Sequence, residues 1–159
     1  MLPGLIAIWV CPVITLSLIG EICSRINEKE AVMFAPWQES YATGNPVLDT
    51  QHRKLIDMVE DLHRAFELGK SPETQLAILE EFISYLDIHE NFELQLYPPQ
   101  RTEQRTQHQM EHEKMHGLFH DLLKRTQQGG TGFHLQDIED IRDILVDHIC
   151  TEVTEFTTF

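Results

Sequence analysis

Basic side chains are scarce: 12 Lys and Arg stand against 26 Asp and Glu in 159 residues, a formal charge of −14 at neutral pH. A surface that repels polyanions so strongly argues against a nucleic-acid partner. Cysteine is almost as rare, and Cys11, Cys23 and Cys150 are too few and too scattered for a disulfide framework or a paired-cysteine metal site. No stretch of useful length alternates apolar with polar residues, so strands are not expected. The run Gly129-Gly130-Thr131-Gly132 has no lysine after it and no strand pattern before it, which removes a phosphate-cradling loop. What is present is one domain's worth of chain, 42% apolar and 24% charged, which is globular composition. It also carries nine histidines, and these need an explanation.

Charge is missing altogether from residues 1–20, where LPGLIAIWVCPVITLSLIG comes after the first methionine, a run about long enough to cross a hydrocarbon core. With no Lys or Arg ahead of it and no small-x-small cleavage site behind it, a cleaved signal is disfavoured. Pro3 and Pro12 weaken a helix there, although lipid-embedded helices tolerate proline. The flank sets Arg25 and Lys29 against Glu21, Glu28 and Glu30, a slight bias towards a cytoplasmic location for the rest of the chain. Two readings stand: a membrane anchor that tethers a cytoplasmic domain to the inner membrane, or translation that begins at Met33. The apolar segment 1–33, an anchor in the first reading and an artefact of the start site in the second, is set apart from a domain at 34–159.

That domain reads as all-α, with four segments of 3-4 periodicity separated by turn chemistry. The first comes after Gly44-Asn45-Pro46, with Asp49 or Thr50 as the expected N-cap, and its stripe is His52, Leu55, Val59, Leu62 and Phe66, flanked by Ile56. Gly69 closes it. The second opens at Ser71-Pro72, a capping residue before a first-turn proline, and carries Leu79, Phe82, Leu86, His89, Glu93 and Leu96 until Pro98-Pro99. The third begins within 100–107 and carries His108, His112, Met115, Phe119 and Leu122 up to Gly129-Gly130. The fourth starts after Gly132 with Ile138, Ile141, Leu145, His148 and Glu152. Four rods of roughly 20 residues, each about 30 Å long and joined by short loops, predict an antiparallel up-down-up-down four-helix bundle.

Polar residues interrupt every buried stripe. A lone histidine on an apolar face is ordinarily a hydrogen-bonded core residue, but His52, His89, Glu93, His108, His112, His148 and Glu152 form a set. In an antiparallel bundle the start of helices one and three meets the end of helices two and four, so all seven are expected at one height. Two charged carboxylates in a dry core cost several kcal/mol each, roughly, unless paired or bound to cations. Divalent metal removes that cost. A single tetrahedral zinc would use four of the seven groups, whereas two metals that share carboxylates could use them all. Mixed imidazole and carboxylate donors suit iron.

The segments Trp37, LDTQH ending at His52, HENFE at His89 and Glu93, HQMEH at His108 and His112, and DHI at His148 resemble those of the hemerythrin family in its bacterial single-domain form, from about Phe34 to Phe156. The resemblance implies a non-haem pair of irons, oxo- or hydroxo-bridged, that binds O₂ reversibly. His108, His112 and His148 would hold one iron; His52 and His89 would hold the other, which takes O₂; Glu93 would bridge. The family's second bridging carboxylate is an aspartate five residues after the last histidine. Here that position is Val153, and Glu152, one residue earlier on the buried stripe, is the expected substitute; a centre that lacks one bridge is the competing outcome. The function implied is oxygen delivery, storage or sensing rather than turnover. Alternatives are a di-iron redox enzyme that consumes peroxide or nitric oxide, and an iron reservoir or sensor. No motif sets the oligomeric state, and a monomer is the default.

One rival comes from the same helix. His112-Glu113-Lys114-Met115-His116 is a literal HExxH, the zinc-protease signature, but its extension and its surrounding sheet are missing. Histidines four apart drift by about 40° per step, which puts His116 and His120 on the flank of the bundle. His63 is expected at the core edge with a hydrogen-bond partner, His134 in solvent, and Cys150 as a small packing residue. The acidic residues of 73–81 and 137–143 are expected on exposed faces.

Overall fold

The computed structural model describes residues 33–129 and 132–156. The anchor and start-site readings fall on residues 1–32 and lie outside the described residues. Among the described residues no helix is long and apolar enough to cross a membrane.

After a 3-10 turn at Glu39–Tyr41 come four α-helices: α1 (Pro46–Glu67), α2 (Pro72–Leu96), α3 (Thr102–Gly129) and α4 (Leu135–Phe156). No strand occurs among the described residues. Each helix packs on its chain neighbours and α1 closes the ring on α4, which is the expected antiparallel bundle. Helix α1 starts earlier than expected. Asn45, not Asp49 or Thr50, is the N-cap, and its side chain accepts from Val47 N at 3.0 Å and Leu48 N at 3.3 Å. Pro46 then occupies the first helical position, where its fixed φ is an advantage and its missing N–H is no loss. Asp49 instead accepts from Thr43 N and Oγ1 at 2.7 and 2.8 Å, which pins the incoming chain. Ser71 caps α2 through Thr74 N, with Pro72 behind it, as expected.

The core runs along the stripes. Leu55, Val59, Leu62, Leu79, Phe82, Leu86, Met115, Phe119, Ile138, Ile141 and Leu145 are all buried, and Phe82 meets Phe119 edge-to-face at 5.3 Å between centroids. Phe66 and Leu96, at the ends of their stripes, are only half-buried. Cys150 is not a packing residue. It is an exposed free thiol, because two residues past His148 is a rotation of about 200° on a helix, away from the core. His63 is half-buried and stacks on Phe34 at 4.0 Å, with Glu67 at 3.9 Å. His134 is exposed, and its N–H donates to Asp137 Oδ2 at 2.8 Å at the start of α4.

The two ends of the bundle differ in chemistry. At the end where α1 runs into α2 and α3 into α4, buried Gln75 joins two loops: its Nε2 donates to Lys70 O at 2.9 Å and its Oε1 accepts from Phe133 N at 2.9 Å. Gly132, with φ of +74°, lets the second loop pass so close that a Cβ there would lie 3.0 Å from Gln75 Oε1. Removal of this side chain strands a buried N–H. Gln75→Ala is expected to lower unfolding stability by about 1–3 kcal/mol, read as a lower denaturant midpoint with an unchanged slope, and to leave the opposite end intact.

Candidate metal centre

At the other end the start of α1, the end of α2, the start of α3 and the end of α4 bring seven polar side chains together. His52, His89, Glu93 and Glu152 are fully buried, and His108, His112 and His148 nearly so. These are the seven residues singled out in the sequence, and each comes from a stripe position that packing turns inward. Among the described residues their ligand atoms fall into two groups, each within 4.8 Å: Glu93, His108, His112, His148 and Glu152 in one, His52, His89, Glu93 and Glu152 in the other.

Both carboxylates belong to both groups, and their oxygens divide between them. Glu93 places Oε1 at 2.7 Å from His89 Nε2, and Oε2 at 3.2 Å from the Nε2 atoms of both His108 and His112. Glu152 places Oε2 at 2.6 Å from His52 Nε2 and Oε1 at 3.0 Å from His148 Nε2. All five imidazoles turn Nε2 inward. Val153, the next residue, is half-buried and has no ligand atom to offer.

The electrostatics record the crowding. Burial pulls the His52 and His148 imidazoles down, but the Glu152 and Glu93 carboxylates outweigh it and push both up to about 9. Burial raises Glu93, yet its contact with Glu152 and the surrounding His89, His108 and His112 hold it well below the usual carboxylate range. Desolvation dominates at His112, whose pKa is lowered.

Several buried atoms nevertheless have no hydrogen-bond partner. These include His52 Nε2, His89 Nε2, Glu93 Oε1 and both oxygens of Glu152; they approach one another at ion-pair range without hydrogen-bond geometry. Orphaned lone pairs aimed at a common interior are what bound cations would satisfy, so the donor set fits a pair of metal ions. The set suits ions that accept nitrogen and oxygen together, such as iron.

A second layer escaped the sequence reading. Gln51 Oε1 lies 3.2 Å from His89 Nδ1, Glu155 Oε2 lies 3.6 Å from His108 Nδ1, and Glu90 Oε2 lies 3.6 Å from His112 Nδ1. The Tyr97 hydroxyl donates to Glu155 Oε2. Partners of this kind fix the orientation of ligand imidazoles. Burial, ahead of its neighbouring charges, pushes Glu90 up to about 8. Gln51, Glu90 and Tyr97 sit beside a stripe position rather than on it, and the one signal was adjacency in sequence, as with Gln51 before His52 and Glu90 after His89; Glu155 lies three residues past Glu152, where the 3-4 stripe of the last helix continues.

The HExxH pair does not converge. His112 Nε2 faces His148 at 3.3 Å, whereas His116 Nε2 faces Glu90 Oε1 at 3.0 Å, and Glu113 is exposed. His120 is exposed and stacks on His116 at 6.0 Å.

Comparison with known proteins agrees with this geometry. The profile of the hemerythrin HHE cation binding domain matches residues 43–157. Bacteriohemerythrins of Pseudomonas aeruginosa and Pseudomonas paraeruginosa are each 35% identical over 57 residues, 36% of this chain and 37% of theirs. The match thus spans little more than a third of the curated relatives' length. No solved structure matches. A bundle with histidines of all four helices and glutamates of two turned to one interior, under a profile that covers all four helices, means that the chain belongs to the hemerythrin family.

Proposed function

We propose that the protein binds O₂ reversibly at a pair of iron ions, for oxygen delivery, storage or sensing rather than turnover. The supporting observation is the division of Glu93 and Glu152, one oxygen of each towards His52 and His89 and the other towards His108, His112 and His148. In this reading Glu93 and Glu152 would serve both ions, Glu152 would take the place of the family's aspartate, and the His52/His89 position would have one protein donor fewer than the His108/His112/His148 position. A pair of ferrous ions held by these residues would supply the two electrons, one from each ion, that O₂ takes up and returns.

The chain's own part is to position and to exclude. The five inward Nε2 atoms set the ion positions, and Gln51, Glu90 and Glu155 steady three of the rings. Leu55 and Ile56 lie one turn from His52, and Leu86 lies one turn from His89; all three are buried. Together with Leu145 and Ile149 they make a dry apolar layer under the centre, which keeps water from displacing the bound gas.

Iron-reconstituted protein is expected to hold about two irons per chain and to show, under O₂, a visible charge-transfer band that disappears on degassing and returns on re-exposure. One tightly held zinc per chain would refute the reading. Irreversible oxidation, with steady loss of peroxide or nitric oxide on adding reductant, would assign the centre to redox catalysis instead. Iron that comes and goes with no response to O₂ would assign it to storage or sensing of the metal.

A further inference from the structure

The surface of the bundle between α2 and α3 carries a second, smaller group of donors. Asp87 and Glu90 stand three residues apart on α2, and His116 faces them from α3. His116 Nε2 lies 3.0 Å from Glu90 Oε1 and 3.5 Å from Asp87 Oδ1, and the three ligand atoms lie within 4.8 Å of one another. Glu90 Oε1 and His116 Nε2 are both shielded from solvent and without a hydrogen-bond partner. Among the described residues no Lys or Arg comes within ion-pair range of Asp87 or Glu90. A carboxylate this deeply placed, its side chain 12% exposed, is costly without a compensating positive charge.

We propose that Asp87, Glu90 and His116 form a separate, solvent-facing site for a divalent transition-metal cation such as Zn²⁺ or Fe²⁺. One imidazole nitrogen with two carboxylate oxygens is a mixed set that selects such ions over Mg²⁺, which prefers oxygen alone. Asp87 is exposed, so water completes the coordination from outside. Glu90 carries one oxygen to each place, Oε1 here and Oε2 towards His112 Nδ1 at 3.6 Å, so an ion at this site is linked to the inner centre through one carboxylate and the His112 imidazole. The site depends on its own three residues and not on the oxygen-binding reading.

The test is a difference in zinc content. Full-length protein, first saturated with iron, is dialysed against Zn²⁺ alongside the double variant Asp87→Asn/His116→Gln and the control Glu113→Gln, with helix content matched by circular dichroism. Wild type and the control are expected to hold one Zn²⁺ per chain more than the double variant, whatever the inner load. Equal zinc in wild type and double variant would overturn the site, as would loss of the extra ion in the control. Should the double variant unfold, single His116→Gln serves the same comparison.

Discussion

Replacement of Glu152 with alanine is expected to abolish the paired load, from about two irons per chain to one or fewer, while Val153→Ala leaves it near two. Glu152 is fully buried, with its oxygens 2.6 Å from His52 and 3.0 Å from His148. Its loss removes a donor from each ion position at once and leaves those two imidazoles without the carboxylate that balances them. The effect should therefore exceed the roughly 10–100-fold cost of an outer-shell change. Iron analysis after gel filtration reads it directly, and Glu152→Asp tests whether one methylene less still reaches. Equal iron in Glu152→Ala and Val153→Ala would show that the centre works with Glu93 as its one bridge.

Removal of the ions should have the second large effect. Metal that binds the folded chain and not the unfolded one stabilises it by about 4 kcal/mol at a free concentration a thousandfold above Kd, or roughly 10–20 °C in Tm for a domain of this size. Without metal, seven buried polar groups at one end must satisfy one another, which the orphaned oxygens and nitrogens there do poorly. Chelated protein is thus expected to melt far below the iron-loaded form, and iron should restore the difference. Scanning calorimetry on both forms measures it; coincident melting curves would mean that the donors are self-sufficient. Gln75→Ala, at the far end, should lower both curves alike.

The bundle and its inner donors were legible because periodicity reports burial: a residue spaced 3-4 from Leu and Ile goes where they go, whatever its polarity. His52, His89, Glu93, His108, His112, His148 and Glu152 all obeyed that rule. Glu90, Gln51 and Tyr97 did not stand on the stripes, and only the packing of one helix on another brings them against the imidazoles; Glu155 stands one step past the last residue read on its stripe. The start of α1 was harder to place. Asn45 caps it because Pro46 can begin a helix, whereas Asp49 or Thr50, after the proline, was the expected cap. Cys150 showed the converse failing, since one residue beyond buried Ile149 is already solvent.

Helices α2 and α4 run in the same direction across the diagonal of the bundle and offer the same unit, a histidine with a glutamate four residues later: His89 with Glu93, His148 with Glu152. The two units contribute one imidazole and one carboxylate each. Helices α1 and α3 break the equivalence, the first with His52 alone and the second with His108 and His112. Remove His112 and each half keeps two imidazoles and a share of both glutamates. The handedness of the centre, which side is crowded and which can admit a guest, is thus written in one ring.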